Sequence, residues 1–142
     1  MKLFRFMSLN EFIKYKNGEI LINNTDYNRE KNLKSYSKGF CFLNYAHYEP
    51  EIAFHFINGC TGKIFEYDIC VIFETNRNNV VQSRARYAEP VKPTNAMSLL
   101  NRKSFIAKEY CTTTYDKEKF KLISIAKIEW NNWEKWDWKN NI

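Results

Sequence analysis

The segment from Tyr67 to Glu74, YDICVIFE, constrains the fold of this chain more than any other. It is a nearly continuous β-branched and aromatic run, which belongs in the middle of a sheet rather than at a solvated edge. A chain of 142 residues is about one domain's worth and buries one core. An aromatic content of 17% supplies unusually large burial per residue for that core. No linker or internal repeat divides the chain, so residues 1–142 are read as one domain.

Other elements are placed by periodicity and by their end signals. Lys2 to Met7 reads as a strand with Leu3, Arg5 and Met7 on one side and Phe4 and Phe6 on the other, which sets Arg5 among apolar neighbours. Ser8 is a good N-cap with Glu11 three residues on, and Leu9, Phe12 and Ile13 form one helical face through Tyr15 until Gly18 ends the helix. Asn23 to Lys38 is polar and reads as a long mobile loop after the short run ILI. Gly39 to Asn44 reads as a strand, and Glu49-Pro50-Glu51 opens a helix that Asn58-Gly59 closes. Val80 to Tyr87 forms a further strand. Lys108 to Thr113 and Lys119 to Trp130 are expected to make a hairpin around Tyr115 to Glu118. The order predicts an α+β domain with two or three helices covering part of a curved, mainly antiparallel sheet. The tail, 130–142, holds all four tryptophans and is expected to dock on the domain, because free indoles promote aggregation.

The chain carries 22 Lys and Arg against 16 acidic residues, a net charge of +6 that favours acidic partners. These basic residues are scattered rather than gathered into a stripe, so a protein partner is expected ahead of nucleic acid. Cys41, Cys60, Cys70 and Cys111 form no CxxC pair and read as buried free thiols. His47 and His55 stand at spacings no familiar zinc site uses, and they read as surface or helix-face residues; no metal is expected. No apolar leader or membrane-length run is present, and a cytoplasmic location is expected.

Three separated segments suggest one chemistry. Arg5 lies in Leu3-Phe4-Arg5-Phe6, Ser35-Tyr36-Ser37 leads into the strand from Gly39, and Glu109 opens Glu109-Tyr110-Cys111. A half-buried guanidinium holds phosphate oxygens with forked hydrogen bonds, and a hydroxyl pair at a strand entrance orients a ribose. A fixed carboxylate stabilises the charge that develops when a glycosidic bond breaks. The order Arg, Ser-x-Ser, Glu resembles that of the ADP-ribosyltransferase-like families, over most of residues 3 to 125. The resemblance implies that NAD is the substrate, with Arg5 on its pyrophosphate, Ser35 and Ser37 on ribose, and Glu109 catalytic. Tyr36 or Phe40 would then stack on the nicotinamide, and ADP-ribose would pass to a macromolecular target, a protein ahead of nucleic acid. Tyr36 takes the place where that family usually has Thr. Ala107-Lys108-Glu109 lacks the Glu-x-Glu that goes with arginine acceptors.

Plainer readings stand beside these. Arg5 also reads as a partner for Glu11, the serines as ordinary loop residues, and Glu109 as a solvated strand-edge charge. The whole chain also reads as a small non-catalytic inhibitor of the kind phages and mobile elements encode against host defence, acting on a protein partner. A third reading, a single-strand binder, would use the tail indoles with Arg84, Arg86 and Arg102. Convergence of Arg5, Ser37 and Glu109 on one hollow would favour the enzyme, and their divergence the inhibitor.

Overall fold

A computed structural model describes residues 1–25, 39–61, 67–87, 105–129 and 136–140, with 56–61, 83–87 and 105–108 described as backbone alone. It is a mixed α+β domain. The elements in chain order are β1 (Lys2–Met7), α1 (Leu9–Lys16), β2 (Leu21–Ile22), β3 (Phe40–Asn44), α2 (Pro50–Thr61), β4 (Ile69–Thr75), β5 (Val81–Tyr87), β6 (Phe105–Thr112), β7 (Thr114–Tyr115) and β8 (Phe120–Lys127). Six strands form an antiparallel sheet in the order β5-β6-β3-β1-β4-β8, and β2 pairs with β7 separately. The apolar run from Tyr67 supplies β4, which lies between β1 and β8, and from Ile69 to Phe73 every residue is buried.

Alternation along β1 sorts the core into two layers. Phe4 and Phe6 face a layer with Leu43, Ala53, Phe54, Cys70, Ile72 and Trp136, which α2 covers. Leu3 and Met7 face a layer with Phe12, Tyr15, Phe40, Phe42, Val71, Phe73, Tyr115 and Phe120, which α1 and β7 cover. The helices therefore cover both faces of the sheet. In the second layer the rings of Phe42, Phe73, Tyr115 and Phe120 meet one another with centroids 4.9–6.0 Å apart, within the range of favourable aromatic pairs.

Ser8 caps α1 by accepting a hydrogen bond from the Glu11 amide at 3.2 Å, and Gly18 closes it with φ of 80°. The buried face of α1 differs from the one the sequence suggests. Phe12 and Tyr15 are buried, while Leu9 and Ile13 remain about half exposed. The Glu11 carboxylate turns toward the sheet instead of back to the cap, and this orients the helix. Helix α2 runs to Thr61, beyond Asn58-Gly59.

The expected hairpin does not form. β6 pairs with β3 and β5, whereas β8 pairs with β4, three strands further along the sheet. Between them Tyr115, 1% exposed, is drawn into the second layer, and together with Thr114 it pairs with β2. Asp116 then turns the chain by accepting from the amides of Glu118 and Lys119.

The tail docks where it is described. Trp136 is 2% exposed and lies edge-on to Phe6 and Phe54. Glu51 of α2 accepts from the Trp136 amide and, at 2.8 Å, from the Trp138 indole. Lys139 exchanges two backbone hydrogen bonds with Ile125, covering the outer edge of β8. The expected mobile loop lies mostly within 26–38, outside the described residues. Among the described residues no helix is long and apolar enough to cross a membrane.

Candidate functional site

Arg5 is positioned by strand alternation. It lies on the side of β1 that carries Leu3 and Met7, opposite Val71 of β4. Burying a guanidinium there requires a partner that satisfies its donors. Glu11 provides it: Arg5 Nε and Nη2 each donate to a different carboxylate oxygen at 2.8 Å. Arg5 Nη1 donates to the Cys41 carbonyl at 3.1 Å, and the cation lies over Phe40 and Phe42 at 5.1 and 5.8 Å from the ring centroids. Tyr115 completes the group by donating its hydroxyl to Glu11 at 2.7 Å.

These contacts set the ionisation of the group. Burial opposes charge on both Arg5 and Glu11, but their hydrogen bonds and mutual attraction outweigh it, so the guanidinium is held cationic and Glu11 below the usual carboxylate range. Burial, with the neighbouring Glu11 charge, pushes the Tyr115 phenol well above its ordinary value.

Glu109 lies on the other face of the sheet. The register sets Phe4 opposite Leu43 and Leu43 opposite Glu109, so these three share the α2 side, while Phe42 and Tyr110 share the Arg5 side. Arg5 and Glu109 therefore do not meet, which corrects the expectation of one site built from both. The forked donors expected to hold a pyrophosphate are directed at Glu11. Phe40, expected to stack on nicotinamide, is 6% exposed, lies beneath Arg5 and meets Tyr115 edge-on at 4.8 Å. Glu109 is 5% exposed and thus not the solvated edge charge of the plainer reading. Ser35, Tyr36 and Ser37 lie outside the described residues, as do Trp130, Trp133, Arg102 and the side chains of Arg84 and Arg86.

A cluster not foreseen from the sequence lies beside Glu109. Cys41 and Cys111 are direct cross-strand partners between β3 and β6, with Sγ atoms 3.4 Å apart. Their sulfurs and a Glu109 carboxylate oxygen all lie within 4.8 Å of one another. Alternation explains the grouping, since residues 109 and 111 share one side of β6 and Cys41 lies opposite. The signal was the matching pattern of two strands, but 70 residues separate the cysteines and spacing alone does not pair them. Of the two histidines, His47 is exposed, whereas His55 is 8% exposed and set edge-on to Phe54.

Comparison with protein families, with curated proteins and with solved structures finds no match for this chain.

Proposed function

We propose that this chain is a non-catalytic protein-binding module that docks on an acidic partner through the exposed aliphatic side chains around α1 and β2. The observation that carries the reading is the exposure of Leu9, Ile13, Ile20 and Ile22 at 51%, 48%, 65% and 67% within one short stretch. Leu9 and Ile13 are one helical turn apart and form a row on α1, while Ile22 lies on β2 and Ile20 immediately precedes that strand. Clustered exposed aliphatic residues of this kind mark interaction surfaces more often than singly scattered ones do. The exposed Lys14 lies within this stretch and the exposed Lys117 donates to the Lys16 carbonyl at the end of α1, and the net charge of +6 adds long-range attraction for an acidic surface.

The placement of Arg5 and Glu109 supports this reading over ADP-ribosyl transfer from NAD. A carboxylate that stabilises developing charge must share a hollow with the group that grips the phosphates, and these two serve opposite faces of the sheet.

Two measurements test it. Incubation with NAD is expected to release no nicotinamide above the buffer rate; release that Glu109→Gln abolishes would replace this reading with catalysis. The double variant Ile13→Glu, Ile22→Glu is expected to keep the wild-type melting temperature and lose stoichiometric capture of a partner. Undiminished capture would remove the α1–β2 surface from the reading.

A further inference from the structure

We propose that Cys41, Cys111 and Glu109 form a binding site for a thiophilic divalent cation of the zinc class. The site is independent of the α1–β2 surface and lies on the opposite, α2-facing side of β3 and β6.

The donor set is two sulfurs and one carboxylate oxygen, mutually within 4.8 Å. A tetrahedral zinc ion with Zn–S bonds of about 2.3 Å sets its sulfurs about 3.8 Å apart. The Cys41 and Cys111 sulfurs are 3.4 Å apart, so the ion requires an opening of only a few tenths of an ångström. A disulfide instead requires closure to about 2.05 Å and gives the adjacent carboxylate no part. Bringing a carboxylate up to two thiols inside a sheet is unfavourable for thiolates alone, and a divalent cation offsets two of the three negative charges that result.

The scaffold is preorganised. The cysteines are fixed opposite each other by the β3–β6 ladder, and Arg5 reaches the Cys41 carbonyl from the other face at 3.1 Å, holding that strand in place. Residues beyond the ligands that fix their backbone raise metal affinity in this way. Cys41 is half-buried while Cys111 and Glu109 are 5% exposed, so entry is from the Cys41 side, where a water completes four ligands. Binding is balanced by loss of one proton from each thiol to solvent: the cation and two thiols give two metal–thiolate bonds and two protons, with no oxidant or reductant involved.

The test uses the full chain, reduced and freed of metal under anaerobic conditions, with Co²⁺ as the optical probe and Zn²⁺ as competitor. One equivalent of Co²⁺ is expected to give thiolate-to-metal charge-transfer absorption and tetrahedral visible bands, both removed by one equivalent of Zn²⁺. Cys41→Ser, at the half-buried position, is expected to lower the charge-transfer intensity by about half and the affinity at least 10-fold. Glu109→Gln is expected to keep the charge-transfer band and lose about 10-fold in affinity. Cys70→Ala, which removes a thiol outside the cluster, is expected to change neither. Cadmium-113 NMR of the wild type reads the ligand set without any substitution and is expected to show two sulfur donors. Absence of charge-transfer absorption in folded wild type, a cadmium resonance with no sulfur donors, or binding unchanged in Cys41→Ser would overturn the site.

Discussion

At the scale of single residues, the Arg5–Glu11–Tyr115 group governs how α1 is held to the sheet. Arg5 and Glu11 are 13% and 17% exposed, so removing one partner leaves a largely buried charge. Glu11→Gln is expected to cost about 3 kcal/mol in urea unfolding at neutral pH; a loss below about 1 kcal/mol would place the pair with ordinary surface bridges. Because Glu11 is held below the usual carboxylate range, its contribution is fully present above the pKa it has when unfolded. It is lost as pH falls through the lower folded value. Wild-type unfolding midpoints are therefore expected to fall faster on acidification below about pH 4.5 than those of Glu11→Gln. Tyr115→Phe keeps the ring packing and removes one hydrogen bond to a carboxylate, with an expected cost of about 1.5–3 kcal/mol. The alternation of β1 already placed Arg5 among apolar side chains. Whether it would grip an internal carboxylate or a ligand's phosphate was not legible, because both satisfy a buried fork equally well.

At the scale of elements, end signals were legible wherever one residue carries a specific backbone requirement. Gly39 opens β3 with φ of 80°, and a Cβ there would lie 2.4 Å from the Thr112 carbonyl oxygen and 2.9 Å from that of Asn23. Gly18 shares the same φ, but a Cβ there meets only the Lys117 side chain at 3.7 Å. Gly39→Ala is therefore expected to destabilise by more than about 3 kcal/mol and Gly18→Ala by about 1 kcal/mol, read by chemical denaturation. Equal losses would mean that backbone conformation alone sets both. The β6–β8 connection was misread because a polar turn between two apolar runs looks the same whether the runs pair or diverge. Only the burial of Tyr115 beneath the sheet separates these outcomes, and that is a long-range fact. The same limit applies to α1: Leu9, Phe12, Ile13 and Tyr15 together span an arc of about 160° at 3.6 residues per turn, and the part that turns inward, Phe12 and Tyr15, is the part beside the Arg5–Glu11 pair.

At the scale of the whole molecule, the two-layered core assigns the candidate residues to separate tasks. Arg5 braces the α1 face, while Glu109 joins the cysteines on the α2 face. The composition of both layers was legible from the strands, but the partition of functional groups between them required the strand order. The tail closes the α2 face. Truncation after Lys135 removes Trp136 from that layer and the Lys139 cover from β8, and is expected to cost at least about 3 kcal/mol with loss of near-ultraviolet tryptophan ellipticity. An unchanged unfolding midpoint would make the tail an appendage.

The separation of Arg5 and Glu109 onto opposite sides of the sheet, with Arg5 committed to Glu11, decides between docking and NAD chemistry. Its most direct measurement is a titration of the nitrogen-15-labelled chain with NAD, following the Arg5 side-chain Nε–H and Glu109 backbone amide resonances. The expected result is an Arg5 signal that stays fixed while shifting in Glu11→Gln. Saturable movement of the Arg5 and Glu109 signals with one common dissociation constant would contradict the account.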